Sequence, residues 1–361
     1  MSSHQETGTY DNTVNVRAGE ELDTYALESF LREHVKGVRG ALSVEQYPGG
    51  FSNLTYLLKM GDREMVLRRP PMGAKIKTAH DMIREYRILS LIYPQFPYCP
   101  KPLACSEDTS ILGAPFYVME KLSGIILRRD PPPGISFSRD QARQLCHNMI
   151  DMHLKLHGVD LTDIISRGCD FMGRPQGYIR RQVEGWTDRY RNAKTEDAPD
   201  FETVIAWLME KMQPDTPNPT LIHNDYKFDN MVLNPDNPVE IVGLLDWEMA
   251  TCGDPLMDLG SSLAYWVEKS DPPQWQMMRT MPTDMDGAMT REEIIKTYGQ
   301  KSGLSMQFFD FYECFGLFRL AVIAQQIYKR FHQGLTRDKR FGMLIHAVKI
   351  LEKRALMLME I

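Results

Sequence analysis

Part-way along this chain the apolar residues change their period, and that change restricts the fold more than any other feature of the sequence. Between Ala41 and Leu122 they gather in short runs, ALSVEQY, LTYLLKM, EMVLRR, KPLACSE and APFYVMEKL, each with the length and composition of a strand. PGGFSN separates the first two runs and Gly61-Asp62 the next two, which predicts an antiparallel meander. One helix, LDTYALESFLREHV, precedes the strands. Another, TAHDMIREYRILSLIY, opens at Thr78 within them and is ended by PQFPYCPKP. After Gly124 the DPPPG segment marks a loop, and helical spacing then dominates over 138–157, 175–192, 200–213, 254–268, 290–301, 306–332 and 337–360. Sheet first and helices after define an α+β class.

A chain of 361 residues exceeds the size at which single cores usually split. The expected organisation is bilobal: a flexible tail over 1–20, a small five-stranded antiparallel lobe over 21–119, a hinge at 120–124 and a larger, mainly helical lobe over 125–361. A formal net charge of −6 argues against general affinity for nucleic acid, which leaves a small molecule as the expected partner. The amino end lacks a basic start followed by an apolar run, and no segment reaches the ~20 apolar residues of a membrane span. A soluble, cytoplasmic protein without membrane contact is expected; its oligomeric state is left open. Cys99, Cys105, Cys146, Cys169, Cys252 and Cys314 form no CxxC pair, so reduced thiols are expected rather than disulfides or zinc.

The stretch LIHNDYKFDNMVL, residues 221–233, places a His, two Asp and two Asn between apolar ends. Buried polar groups must be paired or hold an ion, so such a cluster is a satisfied turn or a working site. His223, Asp225 and Asn230 read H-x-D-x-x-x-x-N, and a later strand-like run ends on Asp246 in LLDWEMA. Phosphoryl transfer needs a carboxylate to orient a hydroxyl, and an amide oxygen plus a second carboxylate to hold Mg²⁺ against phosphates. Asp225, Asn230 and Asp246 supply these in order. Upstream, GGFSN offers a loop that could cover phosphates, Arg68 a cation on the third strand, and Glu85 a helix carboxylate to hold it. Alone, each has a bland reading: a turn, a surface cation, a solvated carboxylate. Five elements in the right order favour the functional one.

With these motifs the chain resembles the aminoglycoside phosphotransferase family, the small-molecule branch of the protein-kinase-like fold, from about residue 25 to the end. LIHNDYKFDNMVL, GLLDWEMATCGDPLMDLG and FYVMEKLSG carry the likeness. Within the family, VLRRPP, REYRIL and YIRRQVEGWTDRYR are similar to the subgroup related to the kinase-like domain fused to some acyl-CoA dehydrogenases. The resemblance implies an enzyme using ATP or another nucleoside triphosphate with Mg²⁺, and a small hydroxyl-bearing acceptor. It makes Asp225 the catalytic base and Asn230 and Asp246 the magnesium ligands. Arg68 would contact the α and β phosphates with Glu85 as its partner, and Gly49, Gly50, Ser52 and Asn53 would cover phosphate. Met119, Glu120 and Leu122 would lie at the adenine hinge, His223 would support the catalytic loop, and Asp258 would bond backbone N–H groups near it.

Three departures bear on this expectation. Arg68 stands where protein kinases use Lys, and Arg69 is an alternative bearer of the role; strand alternation points only one of them inward. GGFSN lacks the full G-x-G-x-x-G pattern, although its glycines still permit close backbone approach. DWE replaces DFG, which leaves Glu248 as an outer-shell carboxylate on the same side as Asp246 if the segment is extended. The rival reading is a non-catalytic, pseudokinase-like nucleotide-binding or scaffold protein, against which the intact Asp225, Asn230 and Asp246 count. A protein kinase is disfavoured because no long activation segment or A-P-E follows Asp246.

Two further patterns have competing readings. His153 and His157 share a helix face, but with no third ligand nearby they read as core residues rather than a metal site. From Arg319 to Arg354, nine Lys or Arg stand against Asp338 and Glu352. That reversal is either a solvated surface or, with Arg180 and Arg181, a face toward an anionic acceptor such as an acyl-CoA or another phosphorylated metabolite.

Overall fold

Strand alternation decides what the sheet can hold on each face. In the computed structural model, which describes residues 13–48, 53–71, 81–162, 172–336 and 338–359, β1 (Leu42–Gln46), β2 (Leu54–Met60), β3 (Arg63–Arg69), β4 (Pro102–Ser106) and β5 (Phe116–Glu120) form one antiparallel sheet. Its order is β1-β2-β3-β5-β4. Gly61 takes a φ of 59° in the β2–β3 turn, which glycine accepts without steric penalty, and Met60 consequently pairs with Arg63. Leu58, Met65, Leu67, Phe116 and Val118 project to one face, where α1 (Thr24–His34) covers them with Leu27, Phe30 and Leu31. Burying such side chains contributes about 1.5–3 kcal/mol each. The alternate residues, Arg68 and Tyr117 among them, project to the other face.

There α2 (Met82–Ile92) presents Glu85, Ile88, Leu89 and Ile92. The Asp81 carboxylate accepts from Arg84 N–H and caps the first turn of this helix. Thr78 lies outside the described residues. The short helix α3 (Thr109–Leu112) ends at Gly113 and leads into β5.

The described chain divides into two compact units. One takes in the chain up to Ile126 and comes back for Asn230–Met249; the other comprises Leu127–Asp229 and the chain from Ala250 onward. The hairpin of β7 (Met231–Leu233) and β8 (Ile241–Leu244) thus belongs with the five-stranded sheet, and Ile125 bridges to Leu233. Gly124 packs so closely here that a Cβ would fall 2.4 Å from the Leu233 carbonyl oxygen.

The second unit is helical: α4 (Arg139–His157), α5 (Tyr178–Ala193), α6 (Glu202–Glu210), α7 (Pro255–Leu263), α8 (Pro273–Gln276), α9 (Arg291–Ser302), α10 (Phe309–His332) and α11 (Leu344–Met359). Ser138 and Gln141 close a capping box on α4, and Thr290 and Glu293 do the same on α9. The run expected over 254–268 ends at Leu263, and that over 337–360 begins as a 3-10 turn, Lys339–Met343. Two short strands, β6 (Thr220–Ile222) and β9 (Thr251–Gly253), pair beside the helices. Helices α7 and α10 meet at Gly260 and Gly316, where a Cβ on Gly316 would sit 2.2 Å from the Gly260 carbonyl oxygen. Among the described residues, no helix is long and apolar enough to cross a membrane. Cys99, Cys105, Cys146, Cys252 and Cys314 are free thiols; Cys169 lies outside the described residues.

Candidate active site

In the first unit, a single guanidinium gathers three carboxylates. Arg68 Nη1 donates to Glu85 Oε1 and lies 3.3 Å from Asp246 Oδ1, while Nη2 lies 3.1 Å from Glu248 Oε2. Burial works against the charge of Arg68, but Glu85, and then Asp246 and Glu248, more than offset it and hold its pKa well above the usual value. Glu85 is 2% exposed, and burial raises its pKa despite the opposing Arg68 charge. Arg69, the alternative from sequence, turns the other way: it is buried and donates to the carbonyl oxygens of Pro70 and Leu112, the latter at 2.8 Å.

The segment that carries Asp246 is anchored from both sides. Leu245 N–H donates to the Asn230 carbonyl at 2.7 Å, tying the two residues named as metal ligands by their backbones. Trp247 is buried edge-on to Phe96 and donates from its indole nitrogen to Leu244 O at 2.8 Å. Asp246 itself has a φ of 67°, and Trp247–Met249 form a 3-10 turn, so the segment is not the strand-like extension that alternation suggested. Asp246 and Glu248 nevertheless reach the same guanidinium from either side of the buried tryptophan. Asn53 donates to Glu248 Oε2 at 2.9 Å, and Arg84 donates to the Glu248 carbonyl at 2.9 Å. Gly49, Gly50 and Ser52 lie outside the described residues.

In the second unit the polar loop is held by one buried carboxylate. Asp258, on the first turn of α7, accepts from His223 N–H at 2.8 Å and Asn224 N–H at 2.6 Å. The Nε2 atoms of His153 and His157 lie 3.1 and 3.2 Å from its Oδ2. Burial alone would raise the Asp258 pKa, but the hydrogen bonds from the two histidines outweigh it and set the carboxyl well below its usual range. Burial, together with the neighbouring His157, lowers the pKa of His153 to about 4. The neutral His153 imidazole therefore directs Nε2–H at Asp258, and Nδ1 of His157 lies 2.6 Å from the Tyr298 hydroxyl.

Asp258 is the third ligand-type group that the sequence did not place beside His153 and His157; these three form a compact His-His-Asp cluster. Its oxygens are already engaged by the loop N–H groups and the imidazoles, so a hydrogen-bond hub accounts for it without an ion. Asn224 takes a φ of 64°, a conformation asparagine tolerates, and Asp225 N–H approaches His223 Nδ1 at 3.3 Å. Beyond that turn, Lys227 Nζ lies 3.0 Å from Asp225 Oδ1 and 3.7 Å from Asp229 Oδ1, above the Tyr265 ring at 4.7 Å. Sequence reasoning passed over Lys227, although a cation two residues from the candidate base was a readable signal.

Residues 43–288 match the phosphotransferase enzyme family, which spans more than half of the chain. The chain belongs to that family. The mouse (Mus musculus) protein named acyl-CoA dehydrogenase family member 10 is 35% identical over 326 residues, covering 88% of this chain. This chain spans only 29% of that relative's length. A presumed aminoglycoside phosphotransferase from Ralstonia eutropha JMP134, known from a crystal structure, is 30% identical with a TM-score of 0.74, covering 92% of this chain and 99% of its own. Choline kinase from Cryptosporidium parvum Iowa II shares the fold at 12% identity, with a TM-score of 0.58 and coverage of 94% and 96%. The fold is α+β and protein-kinase-like.

In this family member the remaining named positions fall as follows. Met119 is buried at the end of β5; the Glu120 side chain lies 3.5 Å from Arg63 and 3.9 Å from Lys101, and its N–H donates to the Lys101 carbonyl at 2.9 Å. Leu122 packs against Gly243, where a Cβ would come within 2.5 Å of it. The cation-rich carboxyl-terminal stretch is not one surface patch. Arg354 is buried against Glu313 at 2.7 Å, and Arg319, 3% exposed, lies over the Trp186 ring at 5.2 Å. Arg180 pairs with Glu184, Arg181 donates to main-chain carbonyls of Arg174 and Gln176, and Arg337 lies outside the described residues.

Proposed function

We propose that this phosphotransferase moves the γ-phosphoryl group of ATP, or of another nucleoside triphosphate, to a hydroxyl of a small molecule. The observation that carries this reading is the Arg68 guanidinium, part-buried on the sheet and shared by Glu85, Asp246 and Glu248. A cation held in place by a helix carboxylate is ready to receive phosphate oxygens without reorganising. Asp246 and Asn230 offer a carboxylate and an amide oxygen, hard donors that suit Mg²⁺, and the Asp246 side chain is 35% exposed and so open to a ligand. When bound with the nucleotide, Mg²⁺ would neutralise phosphate charge.

The chain's own groups account for the remaining work. Asp225 orients the acceptor hydroxyl and takes its proton, and Lys227 holds one carboxylate oxygen in position while offsetting charge. Asp258 fixes the backbone that carries Asp225, with His223 bracing the turn. Asn53 and Glu248 link the phosphate-loop end to the Arg68 cluster. Main-chain groups of Met119, Glu120 and Leu122 take the base, and Gly49, Gly50 and Ser52 cover phosphate.

The acceptor class we propose is anionic, an acyl-CoA or another phosphorylated metabolite. Arg189 and Arg319 both lie over Trp186, at 4.6 and 5.2 Å, and among the described residues no carboxylate pairs with Arg189. The charge of Arg319 reaches Tyr178, which donates to Asn224, and Tyr265, which lies under Lys227. A metabolite pool incubated with protein, ATP and Mg²⁺, followed by mass spectrometry, should reveal an anionic compound that gains phosphate. Affinity that instead rises with the positive charge of the acceptor would overturn the anionic class. Nucleotide binding without turnover on any pool would favour a non-catalytic binding or scaffold protein.

A further inference from the structure

Helix α7 reaches the polar loop twice. On its first turn Asp258 accepts from the His223 and Asn224 N–H groups, and just past its end Tyr265 sets its ring 4.7 Å from Lys227 Nζ. Tyr265 N–H donates to the Ser262 carbonyl at 3.2 Å, which ties this part of the backbone to the helix. The flanking Ala264 and Trp266 are buried. Trp266 donates from its indole nitrogen to Met289 O at 2.9 Å, and its ring packs 5.4 Å from that of Phe228, the residue after Lys227. The half-buried Tyr265 ring is thus carried on backbone fixed from both sides.

Lys227 has a choice of anions. Its Nζ lies 3.0 Å from Asp225 Oδ1 and 3.7 Å from Asp229 Oδ1, and its side chain is 16% exposed. A lysine carries a point charge on a flexible stem, and two carboxylates, each two residues away along the chain, do not by themselves decide which one it serves. An aromatic face adds a third, directional attraction, because its negative quadrupole draws the ammonium, and more strongly where water is largely excluded. We infer that Tyr265 is a positioning residue whose ring holds the Lys227 ammonium beside Asp225 and thereby fixes the orientation of that carboxylate. It acts through Lys227, without bonding to acceptor or nucleotide.

This rests on the reading that Lys227 serves Asp225 during transfer. Initial rates of phosphate gain in a metabolite pool with MgATP, read by mass spectrometry, test the two apart. Tyr265→Leu keeps apolar bulk and removes the π face; transfer should fall about tenfold, with MgATP affinity by calorimetry within about twofold of the wild type. Tyr265→Phe keeps the face and removes only the O–H, so it should transfer within about twofold of the wild type. In a Lys227→Met background, Tyr265→Leu should add nothing, since the ring acts only through that ammonium. The inference is overturned, and the Lys227 reading kept, by any of four results: Tyr265→Leu at the wild-type rate, Tyr265→Phe as slow as Tyr265→Leu, MgATP affinity lost in step with transfer, or the same further loss in the Lys227→Met background. If Lys227→Met transfers like the wild type, that reading falls and takes the inference with it; phosphate gain in no compound removes the phosphotransfer reading as well.

Discussion

The two charged centres are secured by opposite means. Around Arg68, charge is held by charge: three carboxylates share one guanidinium, two of them partly open to solvent. Around Asp258, charge is held by hydrogen bonds: two main-chain N–H groups and two imidazoles converge on a fully buried carboxylate. Ion pairs with solvent-facing members exchange partners readily, whereas a buried carboxylate with four converging partners is far more constrained. The first centre is therefore suited to taking up a charged ligand, and the second to holding the turn at 223–225 still.

Removing the anchor of the rigid centre should have the largest effect. Asp258→Ala leaves two loop N–H groups and two imidazoles without their acceptor, and should cost about 3–5 kcal/mol of unfolding free energy in a urea titration. A loss below about 1 kcal/mol would show that the hub does not hold the fold.

A second test uses acid. The His153 pKa is about 4 when folded, against an ordinary value of 6.5, so between those limits the unfolded chain holds the extra proton. Its contribution is fully present above pH 6.5 and declines as pH falls toward 4, by about 3 kcal/mol at the pKa-to-energy conversion of 1.36 kcal/mol per unit. Melting temperatures measured across this window should fall with pH in the wild type and fall less in His153→Gln; equal slopes would contradict the hub's electrostatics.

The adjustable centre should respond differently. Glu248→Gln removes one charge from the Arg68 cluster and weakens the link to Asn53, yet stability should change by less than about 1 kcal/mol. Nucleotide affinity should shift instead, and the shift should shrink in high salt because part of the cluster faces solvent. A stability loss as large as that of Asp258→Ala would erase the contrast between the centres.

How much of this was legible in the sequence follows from the range of each interaction. The sheet, with its Gly61-Asp62 turn, is written in local alternation, and so is the opposition of Arg68 and Arg69. Which of the two faces α2 depended on Arg69 finding the Leu112 carbonyl, 43 residues away, and no local pattern records that. The His153–His157 pair was visible at helical spacing, but Asp258 joins it from 105 and 101 residues further on. Lys227 lies within the motif, but its place between Asp225 and the Tyr265 ring depends on a residue 38 positions further on, which no local pattern records. Asp246 and Glu248 were expected to share a side through an extended backbone; a left-handed residue and a 3-10 turn around buried Trp247 bring them together instead.

The central proposal is that Asp225 performs proton transfer in a phosphotransferase whose nucleotide is held by other groups. Asp225→Asn, measured beside the wild type for MgATP binding by calorimetry and for phosphate transfer into a metabolite pool by mass spectrometry, tests it most directly. The expected result is nucleotide affinity within about twofold of the wild type and transfer reduced by about 10²–10⁴-fold. Transfer at the wild-type rate in this variant would contradict the proposal.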